Sequence, residues 1–72
     1  MATKLANPVR RRRQLILGAL LLSGRTQAEV ARRCGVTRSM VCHVIAGRKA
    51  HARVQAALAR VCRMSRSELW ED

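Results

Sequence analysis

Phenylalanine and tyrosine are absent from the 72-residue chain, and Trp70 is its only aromatic side chain. That scarcity excludes an aromatic-rich β-sandwich and a stacking platform for unpaired bases. Proline occurs once and acidic residues four times. No apolar run reaches the ~20 residues that a membrane-spanning helix needs. The three cysteines, at positions 34, 42 and 62, have no framework spacing. An odd number in so short a chain points to reduced thiols and a cytoplasmic setting rather than a disulfide scaffold. The length allows one small domain with a thin core.

Positive charge is what the chain has in excess. Fifteen Lys and Arg give a formal charge of +11. Self-repulsion on that scale calls for a polyanionic partner, either nucleic acid or an anionic membrane surface. Glu29 is the only acid before Glu68, whereas Glu68, Glu71 and Asp72 close the chain. The basic body therefore ends in an acidic tip, which fits poorly against phosphates and is expected to face away from the partner. Apolar residues make up 49% of the sequence. They are mostly Ala, Leu and Val, which suits a compact helical core better than a disordered basic tail.

The pattern along the chain predicts an all-α fold of four to five short helices. Residues 1–7 read as a flexible lead and 8–72 as a single domain. Asn7-Pro8 is a start signal, with Asn as N-cap and Pro at the first helical position. The first helix, from Pro8 to about Leu22, is apolar on two sides. Ile16, Leu17, Leu20 and Leu21 form one stripe, and Leu15, Ala19 and Leu22 form another. One of them must be core, and the other is either a wider core contact or a protein-facing patch.

Thr26-Gln27-Ala28-Glu29 is a capping box opening a second helix with an inner stripe of Val30, Ala31 and Cys34. Gly35 ends it, Thr37 caps a third helix from Arg38 to Ala46, and Gly47 ends that one. A fourth helix, about 51–63, buries Val54, Ala57, Leu58, Val61 and Cys62 and leaves His51, Arg53 and Arg60 outside. Ser65-Arg66-Ser67-Glu68 is a second capping box, opening a last turn in which Trp70 plugs the first and fourth helices.

The second and third helices carry the chemistry. A steep crossing of two helices needs a small side chain at the closest approach, which Ala31 supplies, and a turn residue tolerating positive φ, which Gly35 supplies. With Val30, Cys34, Val36, Val41 and Val44 turned inward, the residues left outside are Thr37, Arg38, Ser39, Cys42 and His43. They project from the start and outer face of the third helix, the part that enters a major groove.

Thr26 to Lys49, TQAEVARRCGVTRSMVCHVIAGRK, resembles the core of the λ-repressor-like helix-turn-helix domains, with their T-Q-x-x-[LV]-A-x-x-x-G-V-[ST] run and Gly-basic ending. The closing SRSELW is similar to the end of small phage and prophage regulators of the Ner type. The resemblance spans roughly residues 8–70, with the helix-turn-helix at 27–46 and the recognition helix at 38–46. It implies a cytoplasmic DNA-binding regulator, generally a dimer, that represses or tunes promoters. By the resemblance, Gln27 would contact a phosphate, and Thr37, Arg38, Ser39 and His43 would take base-reading or adjacent phosphate-reading positions. The family's usual acid before the glycine that ends the third helix is replaced by Ala46, and Leu20 stands where an arginine is common in the first helix.

Groove chemistry gives the same assignments. Arg38 can fork onto guanine O6 and N7, the Thr37 and Ser39 hydroxyls suit bases or phosphates, and Cys42 and His43 lie along the same face. Gln27, Arg48 and Lys49 flank that face and are expected to grip phosphates. Arg10, Arg11 and Arg12, within the run to Arg13, are expected to add phosphate contacts or to reach a minor groove as an arm.

Other functions have less support. Arg10–Arg13 before Leu15–Leu22 has the outline of an export signal. Cleavage near Ala28 would leave about 44 residues, too few to fold without bridges or a metal. No carboxylate pair and no nucleophile with a base at usable spacing suggests catalysis. Cys34, Cys42, His43, His51 and Cys62 lack zinc-site spacing, so neither a metal nor a cofactor is expected. No small-molecule ligand is expected either. Two rivals to the double-stranded DNA reading remain. One is a membrane-surface peptide built on Arg10–Leu22, and the other a protein-binding module, antitoxin or anti-activator, working through Leu15, Ala19 and Leu22.

Overall fold

Five helices follow one another in the computed structural model, which describes residues 8–70. They are α1 (Pro8–Leu22), α2 (Gln27–Cys34), α3 (Arg38–Ala46), α4 (Ala52–Cys62) and α5 (Arg66–Leu69), and the described residues include no strand. The fold is all-α, as the periodicity predicts. The lead at 1–7, the Asn7 cap and the acids Glu71 and Asp72 lie outside the described residues.

Local chemistry sets most helix ends. Thr26 Oγ1 accepts from the Glu29 backbone N–H at 3.2 Å, and Glu29 Oε1 accepts from the Thr26 N–H at 3.3 Å. Ser65 and Glu68 repeat the arrangement at α5. Those hydrogen bonds hold the fully exposed Glu68 carboxyl below the usual carboxylate range. The support it gives the last turn is therefore complete above that usual range and is lost as pH falls through the lowered value. At α4 the cap is His51, whose Nδ1 accepts from the Val54 N–H at 3.4 Å. The expected outward-facing histidine is thus part of the helix start.

Backbone conformation calls for glycine at the ends of both α2 and α3. Gly35 (φ 71°) and Gly47 (φ 84°) close α2 and α3 in the left-handed region. At Gly47 space is restricted as well, because a Cβ there would lie 2.7 Å from the Arg12 Nη2. Arg63 closes α4 in the same region at φ 57° with a full side chain. A non-glycine residue there costs about 1–2 kcal/mol. Arg63→Gly is therefore expected to raise the thermal midpoint by several degrees, measured by circular dichroism.

α1 and α2 each pack against α3 and α4, and α5 against α4. Ile16 and Leu20 of α1, Val30, Ala31 and Cys34 of α2, Val41, Val44 and Ile45 of α3, Val54, Leu58 and Ala59 of α4, and Leu69 of α5 form one core. Ala59 joins it unexpectedly, while Ala57, Val61 and Cys62 are only half-buried at its edge. On α1 the expected stripe is corrected. Leu21 is 81% exposed, and Leu15 and Leu22 of the second stripe are exposed too, so the core takes a narrow strip of this helix.

Arg12 is the largest departure from expectation. It is 2% exposed, so it is not available to a phosphate. Its Nε donates to the Ile45 carbonyl at 2.7 Å and its Nη1 to the Leu69 carbonyl at 3.1 Å. Its guanidinium stands 5.7 Å from the centre of the Trp70 ring. Both carbonyls belong to the last turns of helices, where backbone acceptors have no partner within the helix and the dipole favours a cation. The run Arg10–Arg13 lies within α1. The arginine built into α1 is Arg12, and Leu20 is a core residue.

Candidate nucleic-acid interface

α3 is fixed at its C-terminal end and open at its start. The Ile45 carbonyl accepts from Arg12, and the Val44 carbonyl accepts from Trp70 Nε1 at 2.9 Å. The His43 carbonyl accepts from the Arg48 backbone N–H at 3.0 Å. Trp70 therefore closes over α1 and α3, where the sequence suggests α1 and α4. Val41, Val44 and Ile45 hold the inner face of α3 in the core. A helix clamped in this way keeps its other face still, and recognition of a rigid duplex needs that.

The outward face begins at Thr37, whose Oγ1 accepts from the Met40 N–H at 3.1 Å, leaving its hydroxyl hydrogen free to donate. Arg38, Ser39 and Cys42 follow, all exposed. Arg38 stands in the first turn and Cys42 four residues on, on the same side. His43 is half-buried, and its Nδ1 accepts from Arg48 Nε at 3.0 Å. An imidazole accepting at Nδ1 carries its proton at Nε2, so His43 can offer a donor. The two residues form a pair across the turn at Gly47, a contact that the linear spacing does not reveal.

Gln27 is half-buried at the first position of α2. Arg48 and Lys49 are exposed beyond Gly47 and line a shallow hollow with Gln55 and Trp70. Arg10, Arg11 and Arg13 are exposed on α1. Five arginines without an expected role gather elsewhere. Arg25, Arg33, Arg53, Arg60 and Arg63 line a groove of about 510 Å³ on the α2–α4 side, to which α3 contributes no residue. Their signal lay in the helical phase, since Arg53 and Arg60 are seven apart on the face away from Leu58.

The cysteines differ in surroundings. Cys34 is buried with its thiol directed at the Arg53 carbonyl, while Cys42 is exposed on α3. Half-burial raises the pKa of the Cys62 thiol, which favours its neutral form. Among the described residues, no group of three or more His, Cys, Asp or Glu is placed to hold a metal ion. Nor is any helix there long and apolar enough to cross a membrane.

Residues 5–71 match the model of a family described as helix-turn-helix domain. No curated protein and no solved structure gives a significant match. A clamped α3, the left-handed turn at Gly35 and a family match over nearly the whole sequence lead to one conclusion: the chain belongs to the helix-turn-helix domain family of DNA-binding domains.

Proposed function

We propose that the chain is a sequence-specific transcriptional regulator, a repressor of phage or prophage type, that binds double-stranded DNA as a homodimer and reads the major groove with α3. The observation that carries this reading is the open face Thr37, Arg38, Ser39 and Cys42 on a helix whose far end is tied down by Arg12 and Trp70. A single α3 spans only a few base pairs, so specificity calls for two half-sites about 34 Å apart or a multiple of that. Arg38 takes the role of base reader, with His43 offering a donor from Nε2 beside it. Gln27, Lys49 and the free end of Arg48 take phosphates, with Arg10 and Arg11 as outer contacts. The cytoplasm, where reduced thiols and DNA coexist, is the setting for this activity.

A gel shift with genomic fragments tests the reading. Arg38→Ala is expected to cost about 1–3 kcal/mol of discrimination between operator and random duplex. Gln27→Ala is expected to weaken both complexes and leave their ratio unchanged. No retention of any duplex at low salt would remove the proposal.

A further inference from the structure

The outward face of α1 carries a feature that the protomer itself does not use. Gly18 lies in the interior of the 15-residue helix, two residues beyond the fully buried Ile16 and so about 200° round the axis from it. Glycine weakens a helix interior relative to alanine. Yet a Cβ at position 18 would meet nothing within 4 Å, so no contact inside the protomer requires its absence. Leu15, Leu21 and Leu22 surround it at i−3, i+3 and i+4, and the last two are 81% and 91% exposed. Together they form a backbone notch walled by leucines, which lets a second helix approach closely.

Charge decides which helix that is. From Gln14 to Gly24 the chain has no charged side chain, its longest such stretch. A duplex or an acidic protein segment finds nothing to pair with there. A second copy, repelled by a charge of +11 elsewhere, meets no like charge between Gln14 and Gly24. Arg11 lies on the same side seven residues before Gly18. A parallel pairing would bring the two Arg11 side chains together, and an antiparallel one sends them to opposite ends.

We propose that this face joins two copies of the chain, α1 crossing its counterpart antiparallel at Gly18 with Leu15, Leu21 and Leu22 packed across the seam. Two helical turns bury far less than the ~800 Å² per partner of a standing interface. The pair is therefore weak in free solution. It becomes populated where two copies sit on neighbouring half-sites, at an effective concentration on the order of millimolar. This last step rests on the DNA-regulator reading, whereas the α1–α1 pairing itself does not.

Sedimentation equilibrium of the full chain from micromolar to millimolar concentration, at low and high salt, tests the pairing. Self-association is expected only toward millimolar, and it should strengthen with salt as repulsion is screened, opposite to the salt response of DNA binding. Gly18→Leu is expected to keep or raise the thermal midpoint while weakening self-association at least about tenfold, and Leu22→Glu to weaken it similarly. Parent and both variants sedimenting identically at every concentration would overturn the proposal. Association abolished in the variants, with no duplex bound by the parent, would support the pairing and remove the DNA reading.

Discussion

Arg12→Met is expected to unfold much of the population at physiological temperature, with a loss of about 3–5 kcal/mol and a fall in thermal midpoint of roughly 15–30 °C. The substitution keeps the length of the side chain and removes its donors, leaving the Ile45 and Leu69 carbonyls without Arg12 in a nearly dry site. A domain of this length has roughly 4–11 kcal/mol of stability in all, so one buried guanidinium accounts for a large share. Arg12→Lys keeps the charge but not the planar fork that reaches two carbonyls from different helices, and should lose most of the same stability. Arg11→Ala and Arg13→Ala remove exposed side chains and should change stability by no more than about 0.5 kcal/mol. Circular dichroism melts of the four variants decide the matter, and an Arg12→Met midpoint within a few degrees of the parent would refute it.

The second large effect is on DNA affinity. If a bound pair of protomers neutralises roughly 5–8 phosphates, affinity should fall roughly 10³- to 10⁴-fold between 50 and 200 mM monovalent salt. Arg38, Arg48 and Lys49 are exposed around the start and end of α3, and on the proposed reading they would supply the central contacts, with Arg10 and Arg11 on α1 beyond them. Lys49→Ala is expected to weaken operator and random duplex alike and to lower the salt slope by about 1 for each phosphate no longer neutralised. Arg12→Lys, assayed where it remains folded, should leave the slope unchanged, because a buried cation releases no counterion from DNA. Fluorescence anisotropy across a salt series measures both quantities. A shallow slope would show that the +11 charge serves something other than a duplex.

Features determined by neighbours in the chain were legible from sequence. The capping boxes at Thr26–Glu29 and Ser65–Glu68, the stops at Gly35 and Gly47, and the inner stripe of α3 depend on residues within a turn or two. Arg12 was concealed by its company. A run of four arginines looks like one solvated patch, although 12, 16 and 20 share a helical phase and two of those three are plain core residues. Leu21 fits an apolar stripe equally well, and only the placement of α3 and α4 against α1 decides that it stays outside. His43 and Arg48 join through a turn, so neither periodicity nor spacing pairs them. Among the expected site residues, those on α3 retain an outward or half-exposed position, and Arg12 alone passes from the surface to the core.

The bonds that close over α3 also impose an order of assembly. Arg12 and Leu69 lie 57 residues apart, and Trp70 reaches back 26 residues to Val44. Arg12 comes from before α3 and Trp70 from after it, so neither clamp closes until the chain from α1 to the turn after α5 has come together. Contacts of such long sequence separation form late, after the closure entropy has been met. Until then the outward side chains of α3 stand on a helix whose last carbonyls are untied. A still outer face on α3 is therefore a property of the whole fold rather than of the helix-turn-helix segment alone.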